Sequence, residues 1–386
     1  MTSLVIDILT DVGAQDALAK EWDAVVPNSF LTTLSQSAWY FAWRDTHRAK
    51  ENIIVTARDN GQLVGVLPLA KIQTDARGLY LPQITTFTGA DYQAPVLATG
   101  ASTSALTRMV DAAFEYFGPR YVYRWANIPT CDRAAEALAA HLRARGMGIW
   151  EEFRSAPRLN VSGRTLEEVE ASWIPRHRTD VRRQRKRLAM KGNVVLWEPA
   201  QIDTAQKLLE EFFIVHDDKW LSQGQPGRFQ DDRQQEYYRA IVKRLWGRGL
   251  HFSALRCGDV NVSFGLGFVS AGWIQWYRPT YRRDYENFSP GKIHIAFLVE
   301  EVCKRGWNGI DFLQGDEKYK LQWANESLQT VDYYASKRQW APSYIWFSRG
   351  KPYLRDRLGP IYMRTKARMQ RASIALRGAW TLRHKS

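Results

Sequence analysis

The alternation of hydrophobic and polar residues predicts both helices and strands in the first half of the chain. Residues 52–73 alternate on either side of Asp59-Asn60-Gly61, a sequence typical of a tight β-hairpin turn. Apolar residues recur with helical spacing over 102–118, a segment that begins with Ser and Thr and ends with Gly. The same reading predicts helical residues 15–47, a strand and loop over 83–98, a strand over 120–129 and a helix over 131–148.

The second half repeats this order of elements. Its pattern predicts two strands around a turn (250–272), a strand and loop (273–288), a helix (289–306) and a strand (308–315). The loop carries an Asp-Tyr pair in each half, Asp91-Tyr92 and Asp284-Tyr285. An offset of roughly 190 residues is far longer than a solenoid repeat, so it indicates a duplicated domain. We therefore expect domains over 1–160 and 161–345, followed by a tail over 346–386.

The composition is that of a folded protein with two basic patches. Of the 386 residues, 45% are hydrophobic and 24% are charged, and the net charge is +14. Residues 173–192 carry +7 and residues 349–386 carry +10, so the rest of the chain is close to neutral. Basic patches of this kind attract phosphates, nucleic acid or anionic lipid surfaces.

Several classes of protein are disfavoured by the sequence. The three cysteines (Cys131, Cys257 and Cys303) lie far apart and form no CxxC motif, so we expect neither a metal site nor a disulfide framework. The first residues lack the basic segment of a signal peptide, and no apolar run is long enough to span a bilayer. We expect a cytoplasmic protein, and any membrane contact would be peripheral, at the inner membrane.

The sequence Ser289-Pro290-Gly291-Lys292 has two interpretations. Ser is a good N-cap and Pro is favoured in the first helical turn, so the four residues are a normal helix start. The same helix start leaves backbone amides unpaired and carries partial positive charge, which makes it an anion site. Gly291 would let a pyrophosphate approach the backbone, and Lys292 would add charge. A strand on each side of this helix favours the second interpretation.

Residues 285–324, YENFSPGKIHIAFLVEEVCKRGWNGIDFLQGDEKYKLQWA, resemble a bacterial family. That family is the FemAB-like group of GNAT acyltransferases, which carry two tandem GNAT domains and are associated with exopolysaccharide and cell-envelope biosynthesis. The segments GVLPLA, TGADYQAPVL and HRTDVRRQRKRLAMKG are similar to it as well. The resemblance implies a mixed α/β sheet and an acyl-CoA co-substrate, acetyl-CoA first, without a metal. It implies that the pyrophosphate lies on Ser289, Pro290, Gly291 and Lys292.

The resemblance also implies catalytic residues near the end of the strand over 308–315. In the family an aromatic-Lys pair follows this strand and the Lys stabilises the oxyanion, which here implies Lys320, with Tyr319 as the acid for the leaving thiolate. Asp311, within the strand, would orient the acceptor or act as the base. The alternatives are a surface lysine for Lys320, core packing for Tyr319, and a buried ion pair with an arginine for Asp311.

The two basic patches supply further candidates. Arg178, Arg182 and Arg185 share one helical face and would bind an anion such as a CoA phosphate, a sugar-nucleotide diphosphate, a lipid pyrophosphate or tRNA. The alternative is a surface patch without a ligand. In the tail, Arg364, Arg368 and Arg371 would contact an anionic membrane surface or cyclic di-GMP. The tail would otherwise dock on the body of the protein.

Together these observations predict transfer of an acyl group from acyl-CoA to an amino sugar or a related exopolysaccharide or cell-envelope precursor. One alternative is a FemAB-type transferase that uses aminoacyl-tRNA. Another is a non-catalytic regulator of polysaccharide production that binds cyclic di-GMP. No DNA partner is expected. The N-terminal domain is expected to be structural, because its matching helix lacks the Pro-Gly-Lys start.

Overall fold

A computed structural model describes residues 4–47, 51–76, 79–87 and 89–337. The described strands form one continuous mixed sheet, which confirms the predicted mixed α/β class. The strands are β1 (Leu4–Leu9), β2 (Glu51–Asp59), β3 (Gln62–Ala76), β4 (Leu79–Thr85), β5 (Val96–Leu97), β6 (Val122–Pro129), β7 (Gly148–Asn160), β8 (Val194–Trp197), β9 (Leu250–Cys257), β10 (Val260–Ser270), β11 (Trp273–Tyr281), β12 (Gly309–Asp311) and β13 (Glu326–Ser336).

Helices cover the sheet, and short 3₁₀ segments occur at Arg228–Gln230 and Arg283–Phe288. The predicted helical segment over 15–47 is four short helices, because Val26 is extended before Pro27 and Gln36 is also extended. The helices are α1 (Val12–Ala17), α2 (Ala19–Val25), α3 (Thr32–Ser35), α4 (Ser37–His47), α5 (Thr103–Phe117), α6 (Arg133–Ala144), α7 (Leu166–Ser172), α8 (Pro175–Ala189), α9 (Ile202–Ser222), α10 (Asp232–Leu245), α11 (Pro290–Arg305) and α12 (Lys318–Leu321).

The two halves contain the same series of elements. The hairpin β2–β3, then β4, α5 and β6, corresponds to the hairpin β9–β10, then β11, α11 and β12. In both halves the two strands joined through the helix, β4 with β6 and β11 with β12, pair in parallel. This arrangement matches the repeated order seen in the sequence.

The halves also exchange a strand. The sheet order is β1-β2-β3-β4-β6-β13-β7-β12-β11-β10-β9-β8, with β5 on β3. Thus β13, from the end of the described chain, lies between β6 and β7 of the N-terminal half, and β7 continues onto β12. The sequence reading did not predict β13. A domain boundary near residue 160 stays a prediction, and the exchanged strand crosses it.

Aromatic side chains fill the core between the halves. Trp39 and Trp43 of α4 are fully buried there, together with residues of α9 and α10. The Trp39 ring packs edge-on against Phe268 (4.9 Å between ring centroids) and Tyr277 (5.5 Å). Both tryptophans are therefore core residues, and Trp39 helps to fix the position of β11, on which the candidate site is built. Within the described ranges, no helix is both long and apolar enough to cross a bilayer.

Candidate functional site

The candidate site begins where β11 and β12 separate. The two strands pair over only three residues, with Trp273–Gln275 opposite Gly309–Asp311. β11 then continues to Tyr281, paired only with β10 on its other side. Pro279 lies in this stretch, where a residue without an amide hydrogen is tolerated because no strand lies beside it. The backbone edge of β11 is therefore open toward the gap.

A cavity of about 440 Å³ occupies this gap, and we call it the strand-gap cavity. One wall is the open part of β11, one end is the start of α11, and the other end is α12. Trp276 lies flat across Gly265, where a β-carbon would come within 2.0 Å of its ring. The missing side chain at Gly265 thus lets the indole of Trp276 form part of the cavity wall.

The first turn of α11 presents an unpaired backbone donor to the strand-gap cavity. Pro290 has no amide hydrogen, and the Gly291 amide bonds to no acceptor in the described chain. A β-carbon at Gly291 would contact only Tyr281, at 3.6 Å, so the space beside its α-carbon is open. Gly291, Ser289 and Lys292 all line the cavity, while Pro290 is buried. The arrangement suits an anion.

The expected serine cap of α11 is not formed. Ser289 has a left-handed backbone (φ 51°, ψ 53°), and its side chain bonds to no amide of the helix. A capping side chain needs an extended backbone at this position. The Ser289 carbonyl instead accepts hydrogen bonds from the amides of Lys292 (3.0 Å) and Ile293 (3.2 Å).

A second cavity, of about 750 Å³, adjoins the first, and we call it the α8 cavity. The start of α8 forms most of its wall, and Lys292 and Gln322 line both cavities. Lys292 Nζ lies 2.5 Å from Asp180 Oδ2. This hydrogen bond to the ammonium lowers the pKa of Asp180. The two helix starts are thus linked by this ion pair, and the two cavities share Lys292 and Gln322 in their walls; together we call them the groove.

The three arginines predicted to bind an anion do not line this groove. Arg182 pairs with Glu170 (2.7 Å), and Arg185 pairs with Glu300 and stacks over Phe297. Arg178 shares their helical face. The face of α8 that lines the α8 cavity is offset from theirs by two residues, and it carries Arg176, Asp180 and Arg183 instead. The predicted trio stays untested as an anion site, and its placement gives no support to that role.

Tyr319 lies at the other end of the strand-gap cavity, and Lys320 follows it in α12. Tyr319 lines the cavity, and 37% of the residue is exposed. Burial of its hydroxyl raises the pKa of Tyr319. Lys320 is only 5% exposed. Its Nζ donates to the Gln314 carbonyl (2.5 Å) and lies 2.9 Å from Glu317 Oε2. Lys320 is therefore not a free surface lysine, because its ammonium is fixed beside the loop that follows β12.

Asp311 does not lie where a base that contacts the acceptor would have to be. It is fully buried, and its carboxylate accepts hydrogen bonds from Tyr92 Oη (2.9 Å), Arg158 Nε (2.8 Å) and the Leu313 amide (2.8 Å). Burial raises the pKa of Asp311, and the guanidinium of Arg158 opposes that rise. A carboxylate enclosed by these donors has no open side for a substrate. The geometry is that of a buried ion pair between β12 and β7.

A different carboxylate, missed in the sequence reading, lies near Tyr319. Asp91 is half-buried, and no described residue donates a hydrogen bond to its side chain. Burial raises the pKa of Asp91, while the positive charges of Arg278 and Lys320 lower it. In the sequence, the TGADYQAPVL segment shows only a family resemblance and an Asp-Tyr pair, and neither marks Asp91 as a base. Only the fold shows that Asp91 meets the C-terminal half.

Arg278 is the second residue that the sequence reading missed. Its Nε donates to Tyr238 Oη (2.9 Å), and its guanidinium stacks over Tyr277 (4.5 Å). The Tyr277 hydroxyl in turn donates to the Gly89 carbonyl, two residues before Asp91. Arg278 forms no ion pair with a described carboxylate, and its positive charge opposes the rise in the pKa of both Asp91 and Tyr319.

Two further predictions concern the tail and metal binding. Arg364, Arg368 and Arg371 lie outside the described residues, so the tail predictions stay open. Within the ranges that the structure covers, no three His, Cys, Asp or Glu side chains are grouped as metal ligands.

Comparisons with known proteins identify the type of domain and the fold. Residues 175–321, which include most of the groove, match the family model described as Acetyltransferase (GNAT) domain. A comparison with curated protein sequences gave no match. The predicted GNAT domain is thus confirmed for this segment.

Three solved structures share the fold over most of the chain. FemX has a TM-score of 0.59 at 11% identity and covers 89% of this chain and 100% of its own. L-PGS from Bacillus licheniformis has a TM-score of 0.55 at 12% identity, covering 88% and 96%. The C-terminal domain of a putative lysylphosphatidylglycerol synthetase from Agrobacterium fabrum has a TM-score of 0.52 at 12% identity, covering 84% and 92%. At these identities the likeness concerns the fold alone, and the predicted GNAT-like fold is confirmed.

The two roles considered for Asp311 predict opposite results for Asp311→Asn. Because the substitution leaves the buried Arg158 guanidinium without its counter-charge, we expect the free energy of unfolding to fall by about 3 kcal/mol. Urea unfolding measures this loss. Asp316→Asn, at an exposed position on the same loop, should change stability by less than about 0.5 kcal/mol. A fully stable Asp311→Asn protein that has lost acyl transfer would restore Asp311 as the base.

Proposed function

We propose that this protein is an acyltransferase that moves an acyl group from acyl-CoA to the amine of an amino sugar or a related cell-envelope precursor. The observation that carries the proposal is the strand-gap cavity. One end holds the open Gly291 amide at a helix start, and the other holds Tyr319 close to an unpaired carboxylate. An acyl-CoA has a matching form, because an extended arm separates its anionic pyrophosphate from its reactive thioester.

The donor would be held by backbone groups as much as by side chains. The pyrophosphate would lie at the start of α11, where the Gly291 amide and Lys292 favour negative charge. The amide-containing arm would lie along the open edge of β11, where unpaired backbone groups offer hydrogen bonds. The thioester would then reach Tyr319.

In the proposed reaction the amine nitrogen attacks the thioester carbonyl carbon, and a C–N bond forms as the C–S bond breaks. Asp91 takes a proton from the nitrogen as it attacks, since no described residue donates to its carboxylate and, unlike the exposed Asp316, it is half-buried. The tetrahedral oxyanion is stabilised by the positive charges of Arg278 and Lys320. Tyr319 supplies a proton to the leaving thiolate, and its raised pKa keeps the hydroxyl protonated until then.

An amine acceptor suits a site that holds an unpaired carboxylate. An amine arrives as an ammonium, and Asp91, which forms no ion pair with a described residue, can accept its excess proton, while Glu317 is already paired with Lys320 (2.9 Å). Asp91 would pass this proton to solvent before attack, so that it is again a carboxylate when the nitrogen gives up its second proton. That second proton then restores the Tyr319 hydroxyl after the thiol leaves. The assignment to an envelope precursor is supported by the resemblance of residues 285–324 to FemAB-like enzymes.

Aminoacyl-tRNA remains the second candidate donor. It is favoured by the basic character of α8, where Arg178, Arg182, Arg183 and Lys186 contribute charge at or near the surface. Nucleic-acid binding at such a face would weaken steeply with salt. Binding of tRNA in place of CoA, with that salt dependence, would support this candidate. The other alternative, a regulator that binds cyclic di-GMP, depends on the basic tail, which lies outside the described residues.

The donor site predicts the effect of Gly291→Glu. Calorimetry should detect micromolar binding of acetyl-CoA to the wild type and none to the variant, because the added carboxylate lies where the pyrophosphate belongs. Gly291→Ala is the matched control. Its methyl group would contact only Tyr281, at 3.6 Å, so binding should persist. Equal binding by Gly291→Glu and the wild type would place the donor elsewhere.

The proposed base predicts a pH effect. A general base acts as the carboxylate, so transfer should decline as the pH falls through the pKa of Asp91. Because burial raises that pKa, the decline should begin above the range of an ordinary aspartate, whose pKa is about 3.9. Asp91→Asn should lower kcat by about 100-fold or more and remove this acidic limb.

Two controls accompany the Asp91 experiment. Acetyl-CoA binding should survive in Asp91→Asn, because Asp91 belongs to the acceptor side. Asp316→Asn, which changes an exposed carboxylate near Tyr319, should keep both the rate and the limb. An unchanged pH profile in Asp91→Asn would exclude Asp91 as the base.

A further inference from the structure

The α8 cavity has a second helix start that resembles the donor site in its unpaired amides. α8 begins at Pro175, and the preceding Ile174 has no side chain that caps the helix. The first backbone amide of α8 that donates a hydrogen bond is that of Arg178, to the Ile174 carbonyl (3.0 Å). The amides of Arg176 and His177 have no acceptor in the described chain. α8 has 15 residues, so its aligned peptide dipoles place partial positive charge at this N-terminus.

A buried histidine on the same wall independently points to a missing ligand. His177 lines the α8 cavity and is only 7% exposed. Its Nε2 atom is buried and has no hydrogen-bond partner among the described residues. The ring packs edge-on against Trp173 and Trp323 (5.7 and 4.5 Å between centroids), and neither contact satisfies the nitrogen. A buried polar atom without a partner is costly, so a ligand that supplies one would be favoured.

The charges along this wall favour an anion. Arg176 and Arg183 are seven residues apart, so they share one face of α8, and both line the cavity with Lys292. Arg176 is exposed and forms no ion pair with a described residue. Asp180 is the one carboxylate in this lining, and it is shared by Arg183 (2.6 Å) and Lys292 (2.5 Å). Cations therefore outnumber carboxylates three to one.

The size and position of the α8 cavity indicate what the anion belongs to. Its volume of about 750 Å³ lies within the range of small-molecule sites. It meets the strand-gap cavity at Lys292 and Gln322, beside the Gly291 amide. A CoA with its pyrophosphate at Gly291 still has to place an adenosine and its 3′-phosphate, and this cavity is next along the groove. Ile174, 65% exposed on its rim, offers the apolar surface that a base prefers.

We propose that the α8 cavity binds the phosphorylated nucleoside end of the donor, with the 3′-phosphate of CoA held by Arg176 and the free amides of α8. His177 bonds to the nucleoside or its phosphate through Nε2. The inference rests on the proposed acyl-CoA donor and deepens it, because it assigns recognition of the nucleotide to residues outside the α11 helix start.

Calorimetry with CoA and dephospho-CoA, which differ only in the 3′-phosphate, tests the proposal. The wild type should bind CoA about tenfold more tightly, since charge-assisted bonds to a phosphate are worth that much or more. In Arg176→Ala this ratio should fall severalfold, because only the α8 amides would still hold the phosphate, while the affinity for dephospho-CoA stays unchanged. Arg182→Ala is the matched control, because it removes an arginine of the same helix from the face outside the groove.

Each other outcome has a separate meaning. Equal binding of the two ligands by the wild type would overturn this proposal and leave the acyl-CoA donor intact. A ratio that survives in Arg176→Ala, or that falls in Arg182→Ala, would move the phosphate to another face of α8 and overturn it as well. Binding of neither ligand by the wild type would overturn the donor assignment itself, and this inference with it.

Discussion

The whole site depends on one buried ion pair, between Arg158 of β7 and Asp311 of β12. The Arg158 guanidinium lies between the rings of Phe30 (4.1 Å) and Trp273 (4.7 Å), and Tyr92 donates to the same carboxylate. The pair thus fastens the last residue of β12 to both halves of the chain. Removing one member of a buried pair leaves an uncompensated charge, which costs several kcal/mol, about 3–5. Such a bond fixes where β12 ends, and so where the strand gap opens.

The same contact explains why the proposed reaction centre is shared by the two halves. Tyr92 is held against Asp311, so its neighbour Asp91 is brought toward Tyr319 and Lys320 of the C-terminal half. The Tyr277 hydroxyl holds the Gly89 carbonyl from the other side, and the exchanged strand β13 joins the two parts of the sheet. In this account the N-terminal half supplies the base, which goes beyond the structural role expected from its sequence.

Sequence patterns predicted the elements that are determined locally. The hairpin at Asp59-Asn60-Gly61 and the helices α5 and α11 depend on turn residues, caps and apolar spacing within a few residues. Strand β13 was missed because its position depends on β6 and β7, far away in the chain. The arginines of α8 form two helical stripes, and only packing decides that Arg176 and Arg183 face the groove. Likewise, Asp311 meets a partner 153 residues away, which no local pattern reveals.

In the proposed function the strand-gap cavity, from the start of α11 to Tyr319, holds the donor. Hydrogen exchange of the backbone amides, measured with and without CoA, can locate the donor without an acceptor and without a substitution. If the donor lies in this cavity, exchange should slow at Gly291 and in the open part of β11, with little change in the matching helix α5 of the N-terminal half. Protection confined to α5 and its surroundings, with Gly291 unaffected, would contradict it.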